Sequence, residues 1–183
     1  MGGSGRHSPA WGRALTVALA MMGALGTLAA SSAAPGAPPR CTGPEFHQFD
    51  FWKGDWDAYD MADTTKIVGR GQVTSMLDGC VLREVYRQND GLQGESYNLW
   101  DASRGLWHQS WVTNRGDLLL LDGLFEDGRM VLIARETRPD GSSSLLRGVW
   151  WADGPNVREK ADRSADGGKT WMPVFDMVFR PHR

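Results

Sequence analysis

The sequence has few of the residues on which most catalytic and metal sites depend. It holds two cysteines and four histidines in 183 residues. It has no phosphate-binding loop, no dinucleotide fingerprint and no Cys or His pairs at zinc-ligand spacing. Lysines and arginines do not cluster, and the formal net charge is −2. We therefore predict no cofactor, no metal ion and no nucleic-acid partner.

Long hydrophobic runs are absent beyond the N-terminus. Arg6 and Arg13 precede an almost unbroken apolar run over 14–30, and small residues follow it. This order is typical of a secretory signal peptide, which we place at 1–33 with cleavage after Ala33. The alternative is a retained membrane anchor, but the run is a little short for a span of ~20 residues. We expect an exported protein, periplasmic or secreted, with no membrane attachment after cleavage.

Both cysteines lie beyond the predicted leader, in a mature chain of about 150 residues, which suits one domain. In an oxidising compartment Cys41 and Cys80 most simply form one disulfide. We divide the rest of the chain into a linker over 34–48 and one domain over 49–183. Loss of the leader leaves 18 basic against 22 acidic residues, a formal charge of −4.

Helical periodicity is also absent after residue 50, and turn residues recur about every ten positions instead. The turns are Asp78-Gly79, Asn89-Asp90-Gly91, Ala102–Gly105, Asn114-Arg115-Gly116, Asp127-Gly128, Pro139-Asp140-Gly141, Asp153-Gly154-Pro155 and the Asp-box pattern Ser164–Trp171. Short segments rich in Val, Trp, Tyr and Leu separate them, which indicates strands joined by hairpins. The sequence therefore predicts an all-β protein: one antiparallel up-and-down barrel of about ten strands.

Turn lengths predict which side chains share a face of the sheet. A four-residue loop over 102–105 pairs Trp100 with Trp107, Asn98 with Gln109 and Ser96 with Trp111. Because three indoles in water would forgo a large burial free energy, we place this face inside the barrel. The same count carried forward sends these residues inward: Leu119, Leu121, Met130, Leu132, Ala134, Glu136, Ser144, Leu146, Gly148, Trp150, Glu159 and Ala161.

The segment FDFWKGDW, residues 49–56, holds four large aromatic side chains at the entry to the first strand. We expect Phe49, Phe51 and Trp52 to plug one end of the barrel, which Trp56 closes from inside. Gly54-x-Trp56 on the first strand resembles the signature of the lipocalin and calycin superfamily. That resemblance implies an Arg on the last strand packed across the Trp, and Arg180 is the matching residue. Alternation on the last strand points Arg180 outward, so such a stack would form only at the strand's end.

A second resemblance covers nearly the whole mature chain. The strings FDFWKGDW, LDGCVLRE, LWDASRGLWHQSWV and DGGKTW resemble a family of exported bacterial proteins with a lipocalin-like domain, domain of unknown function 1579 or a near relative. This resemblance implies the fold and export and leaves the chemistry open.

An apolar interior that also holds amides and carboxylates favours a cavity with a ligand, because unpaired buried polar groups are costly. We predict that the protein binds a partly apolar small molecule. The predicted contacts are Trp56, Asn98, Trp100, Trp107, Gln109, Trp111, Glu136 and Trp150. One alternative is a cofactor-free enzyme using Glu136 and Glu159 as acid and base. Another is a packed barrel that binds a protein partner.

Histidines offer two weaker possibilities. His108 and Ser110 share the outer face, but no third acid or oxyanion hole is apparent from the spacing. His47 or His182 would be the haem ligand if the barrel resembled the ten-stranded nitrobindins.

Overall fold

The computed structural model of the protein describes residues 41–138 and 140–183. They form ten antiparallel strands in one closed barrel, in which each strand pairs with its chain neighbours and the first strand pairs with the last. The strands are β1 (Gly54–Asp60), β2 (Asp63–Met76), β3 (Val81–Gln88), β4 (Gln93–Asp101), β5 (Leu106–Thr113), β6 (Leu118–Glu126), β7 (Arg129–Thr137), β8 (Ser143–Asp153), β9 (Asn156–Ser164) and β10 (Met172–Pro181). The predicted all-β, up-and-down barrel is confirmed. The predicted leader over 1–33, with residues 34–40 of the predicted linker, lies outside the described residues.

The two ends of the barrel differ. At one end, here the plug end, the N-terminal segment enters with two short 3₁₀ turns, Pro44–His47 and Asp50–Trp52, and a third, Leu77–Gly79, links β2 to β3. The opposite end, here the mouth, carries the β1–β2, β3–β4, β5–β6, β7–β8 and β9–β10 connections. In the part of the chain that the structure describes, no helix is long and apolar enough to cross a membrane.

Trp52 is the centre of the plug. It is fully buried, stacks on Trp56 with ring centroids 5.9 Å apart, and meets the edge of Phe179 at 4.6 Å. The Trp56 indole N–H donates a hydrogen bond to the Trp52 carbonyl oxygen at 3.0 Å. A Cβ atom at Gly54, where φ is +154°, would lie 2.8 Å from the Trp56 ring. The Gly-x-Trp spacing therefore lets the indole fold back onto its own strand.

Phe49 extends the plug across the barrel. Its buried ring packs edge-on against Trp107 and Trp150, with centroid distances of 5.7 and 5.8 Å, and against Phe51 at 5.4 Å. The Trp107 indole N–H donates to the side-chain oxygen of Gln48 at 2.9 Å. The expected plug of Phe49, Phe51 and Trp52 is confirmed, and it fills the interior at this end.

Arg180 does not pack across Trp56. The guanidinium of Arg180 lies over the ring of Tyr59 at 4.4 Å and donates to the Thr64 carbonyl oxygen at 3.2 Å. The cause is alternation along β10, which turns Phe179 into the core and Arg180 outward. The contact implied by the superfamily signature is corrected here: the Arg stacks on a first-strand aromatic, but on the outer face.

The Asp-box segment is a hydrogen-bonded turn between β9 and β10. The Asp166 carboxylate accepts from the backbone N–H of Thr170 at 2.9 Å and from its hydroxyl at 2.6 Å. The Ser164 hydroxyl accepts from the N–H of Gly168 at 2.8 Å, and the Trp171 indole donates to the Gly168 carbonyl oxygen. Local bonds satisfy these polar groups, so we interpret the turn as structural.

The predicted disulfide is confirmed. Cys41 is bonded to Cys80, with Cα atoms 5.1 Å apart and a sequence separation of 39. The bond joins the N-terminal segment to the β2–β3 connection and so anchors the plug to the barrel wall.

Replacing both cysteines by serine should lower the free energy of unfolding by about 3–4 kcal/mol, because the cross-link restricts the unfolded chain. Denaturant unfolding without reductant measures this. Reductant should lower the stability of the wild-type protein by a similar amount and leave the double variant unchanged. Equal stability of the two proteins without reductant would contradict the prediction.

Candidate functional site

The predicted registers from β4 to β9 are confirmed. Trp100 lies opposite Trp107, Asn98 opposite Gln109, and the count continues through each later hairpin. The inward set predicted from turn lengths is therefore the inner face, with most of its apolar members buried: Leu121, Met130, Leu132, Ala134, Leu146, Trp150 and Ala161.

A cavity of about 410 Å³ occupies the half of the barrel nearer the mouth. Its polar wall residues are Asp60, Glu84, Gln88, Gln109 and Glu159. Its aromatic wall residues are Tyr86, Trp111, Trp150, Phe175 and Phe179, and aliphatic side chains complete the wall. The volume lies within the range of small-molecule sites. The barrel is therefore not fully packed, which removes the premise of the packed-barrel alternative.

Three of the eight predicted contacts line this cavity: Gln109, Trp111 and Trp150. The other five do not. Trp56 and Trp107 belong to the plug, and Trp100 packs against the same core cluster. Asn98 is fully buried in the wall, and Glu136 is bound to an arginine. For the three tryptophans, the count from the turns gives the face of each residue but not its height along the barrel, and the plug fills the end opposite the mouth. Asn98 lies opposite Gln109, but hydrogen bonds hold its side chain within the wall.

Two glycines keep the cavity open. A Cβ atom at Gly148 would overlap the ring of Trp150, and one at Gly94 would overlap the ring of Trp111. Without those Cβ atoms, both indoles lie along the wall instead of projecting across the space.

A buried hydrogen-bonded chain leads to one of the carboxylates. Gln109 donates from Nε2 to Asn98 Oδ1 at 2.8 Å, and Asn98 donates from Nδ2 to Ser96 Oγ at 2.9 Å. Ser96 then donates its hydroxyl to Glu84 Oε2 at 2.9 Å. Asn98 also donates to the Leu82 carbonyl oxygen. The predicted polar residues Asn98 and Gln109 thus hold Glu84 in place.

Glu84 on β3 and Glu159 on β9 face the same cavity. Burial raises the pKa of Glu84 to about 7, against a smaller lowering by the Ser96 hydroxyl. Burial raises the pKa of Glu159 well above its ordinary value, and the charge of Glu84 raises it further. Burial and the same two carboxylates raise the pKa of Tyr86. Both carboxyl groups therefore keep their protons to a higher pH than an exposed glutamate does.

Glu136 is not the partner of Glu159. It forms a bidentate ion pair with Arg163, whose Nε and Nη2 atoms lie 2.9 and 3.1 Å from the two carboxylate oxygens. It also accepts a hydrogen bond from the Ser144 hydroxyl. The sequence predicted Glu136 and Glu159 as the carboxyl pair of the cavity. Glu159 does line the cavity, but the prediction of Glu136 is wrong, because Glu84 is the second glutamate there.

Sequence reasoning missed Glu84, although a signal was present. Counting back from Ser96 through the turn at 89–91 places Glu84 directly opposite it, as observed. Alternation along β3 does not reveal this, since Arg83 and Arg87 on the other face make both faces polar.

The three histidines in the described part of the chain lie outside the cavity. His108 Nδ1 is 2.7 Å from an oxygen of Asp122, and His108 Nε2 is 3.5 Å from the Ser110 hydroxyl oxygen. A third acid therefore exists, but Asp122 is also bound by Arg104 and the group lies on the outer face of the sheet. We interpret it as a surface network.

His47 and His182 are at the plug end. Their Nδ1 atoms lie 3.0 Å from oxygens of Asp50 and Asp57. Over residues 41–138 and 140–183, no three His, Cys, Asp or Glu side chains form a group that could hold a metal ion.

The chain matches no protein-family model, and no curated protein matches it significantly.

The raised pKa of Glu84 predicts the pH dependence of stability. Its ordinary value is 4.5 and its folded value about 7, so the folded protein holds more protons than the unfolded chain between these values. The free energy of unfolding should fall as pH rises through this window, by on the order of 3 kcal/mol from Glu84 alone. Carboxylates with lowered pKa, such as Asp166, act with the opposite sign below about pH 4.

Denaturant unfolding at pH 4.5 to 8 measures this slope. Glu84→Gln should make the slope shallower, with the raised pKa of Glu159 supplying the remainder, and should be more stable than the wild type at pH 8. Glu126→Gln, at the exposed end of β6, is the matched control and should keep the wild-type slope. A wild-type stability that rises across this window would contradict the prediction.

Proposed function

We propose that the protein is an exported binding protein that holds a small, partly apolar molecule in the barrel cavity. The observation that carries this proposal is the cavity of about 410 Å³, walled mainly by aromatic and aliphatic side chains and by a few convergent polar groups. Such walls are typical of ligand sites, in which apolar surface supplies affinity and polar groups supply orientation.

The polar groups support a ligand over a dry core. Glu84 is 7% exposed, and its hydrogen-bond donor is a neutral hydroxyl. A carboxylate that is desolvated without a counter-charge costs several kcal/mol. A barrel whose interior was selected only for stability would have apolar residues at these positions.

We further propose that the domain is lipocalin-like and belongs with the calycins and with the exported family that the sequence resembles. The ten-strand closed meander, the plug at the first strand and the fold-back of Trp56 over Gly54 support this assignment. The Cys41–Cys80 disulfide supports export, because such bonds persist in oxidising compartments.

A cofactor-free enzyme acting in the same cavity is the second candidate. Two carboxyl groups with raised pKa, Glu84 and Glu159, are suited to proton transfer near neutral pH. Returning an extracted ligand to the protein separates the two functions. A binding protein leaves it chemically unchanged, whereas an enzyme converts it, and Glu159→Gln would stop the conversion.

Native mass spectrometry of the protein purified from an exporting host tests the binding function. We expect a co-purifying small molecule, and we expect the emptied protein to bind N-phenyl-1-naphthylamine, a neutral fluorescent probe. Ala161→Phe should reduce probe binding at least tenfold, because Ala161 is a buried wall residue.

Ala152→Phe is the matched control: Ala152 is exposed, near the end of β8, and should leave probe binding intact. Circular dichroism shows whether both variants fold. An empty wild-type protein that also fails to bind the probe would overturn the proposal.

A further inference from the structure

We propose that the ligand is an organic cation: an amine or quaternary ammonium group carried on an aromatic or aliphatic body. This inference rests on the proposed function and names the class of ligand. It follows from the charge of the cavity walls, the fixed position of one carboxylate and the aromatic surfaces around it.

The charge of the walls has one sign. Asp60, Glu84 and Glu159 line the cavity, and none of its described wall residues is Lys, Arg or His. Within the described residues these three carboxylates form no ion pair. Arg163, on the inward-facing series of β9, is already bound to Glu136. The protein therefore supplies no basic side chain to balance the negative charge that these carboxyl groups carry when they ionise.

Glu84 is positioned in advance of any ligand. The chain from Gln109 through Asn98 and Ser96 ends on one oxygen of its carboxylate, and every member of the chain is buried. A site held by such supporting hydrogen bonds loses little side-chain entropy on binding. A cation entering the cavity would supply the counter-charge that the protein does not.

The aromatic walls favour the same class. Tyr86, Trp111, Trp150, Phe175 and Phe179 present ring surface to the cavity. Ring faces attract ammonium groups, most strongly where water is excluded. The same walls disfavour an anion such as a fatty-acid carboxylate, because it would meet like charges and no basic group.

Cation binding should be linked to proton release. The titratable groups that face the space are Asp60 on β1, Glu84 and Tyr86 on β3, and Glu159 on β9. Burial raises the pKa of both glutamates in the empty cavity, so both keep their protons to a higher pH than exposed carboxyl groups do. A cation stabilises the ionised form, so binding should expel protons, and affinity should rise as pH increases from 6 to 8.

Three probes of one shape test the inference: 1-naphthylmethylamine, a cation; 1-naphthalenemethanol, neutral; and 1-naphthoate, an anion. Isothermal titration calorimetry at pH 8 should show the amine binding at least tenfold more tightly than the alcohol, and no binding of the naphthoate. At pH 6 the preference for the amine should shrink. Buffers of different ionisation enthalpy should reveal proton release with the amine alone.

Glu159→Gln should reduce amine affinity about tenfold and leave alcohol affinity unchanged, while Glu126→Gln should change neither. Equal wild-type binding of amine and alcohol, or tighter binding of the naphthoate, would overturn the cation inference and leave the binding function standing. Binding of the neutral probe N-phenyl-1-naphthylamine without binding of 1-naphthylmethylamine would also overturn the cation inference and leave the binding function standing. Failure of all four probes to bind, together with the absence of a co-purifying molecule, would overturn both proposals.

Discussion

The ladder between the first and last strands is the contact on which the rest of the structure depends. Trp56 lies opposite Pro181 and Ala58 opposite Phe179, so the meander closes and no strand edge is left free. In a closed barrel of about eight strands, the inward side chains fill the interior. This barrel has ten strands, so it encloses more space than its wall side chains alone would fill. The interior must then be plugged, packed with large residues or left hollow, and this protein uses all three solutions at different heights.

Residues outside the strands decide how that space is divided. Phe49 and Trp52 precede β1, yet they are among the most buried side chains in the described chain. They fill the plug end with rings that strand residues alone would not supply, and the Cys41–Cys80 bond limits how far the segment can withdraw. Toward the mouth, Gly148 lets the Trp150 ring lie against the wall. The same residue type, Trp, therefore fills one half of the barrel and borders a hollow in the other.

This division explains how far the sequence could predict the site. Turn lengths determine pairing, so the strands, their registers and the inner face from Ser96 to Ala161 followed from the sequence. Height along the barrel did not follow, because it depends on where the plug stops. Trp107 and Trp111 are four residues apart on one inner face, yet one packs on Phe49 and the other lines the cavity. Which residues of distant strands face the same cavity, such as Glu84 and Glu159, depends on closure and has no signature in local spacing.

The two interior glutamates lower the stability of the empty protein above neutral pH, because folding removes them from water without a counter-charge. That cost falls on the free form alone. A cationic ligand would balance this charge, so the bound protein would not carry the cost. The two glutamates would therefore increase the stability that the protein gains on binding such a ligand. Glutamines at these two positions would remove this cost, and under the cation binding that we propose they would also remove the preference for a charged ligand. Under the binding function that we propose, a barrel that keeps Glu84 on a buried chain of three polar residues gives up stability for selectivity, a trade commonly found at functional sites.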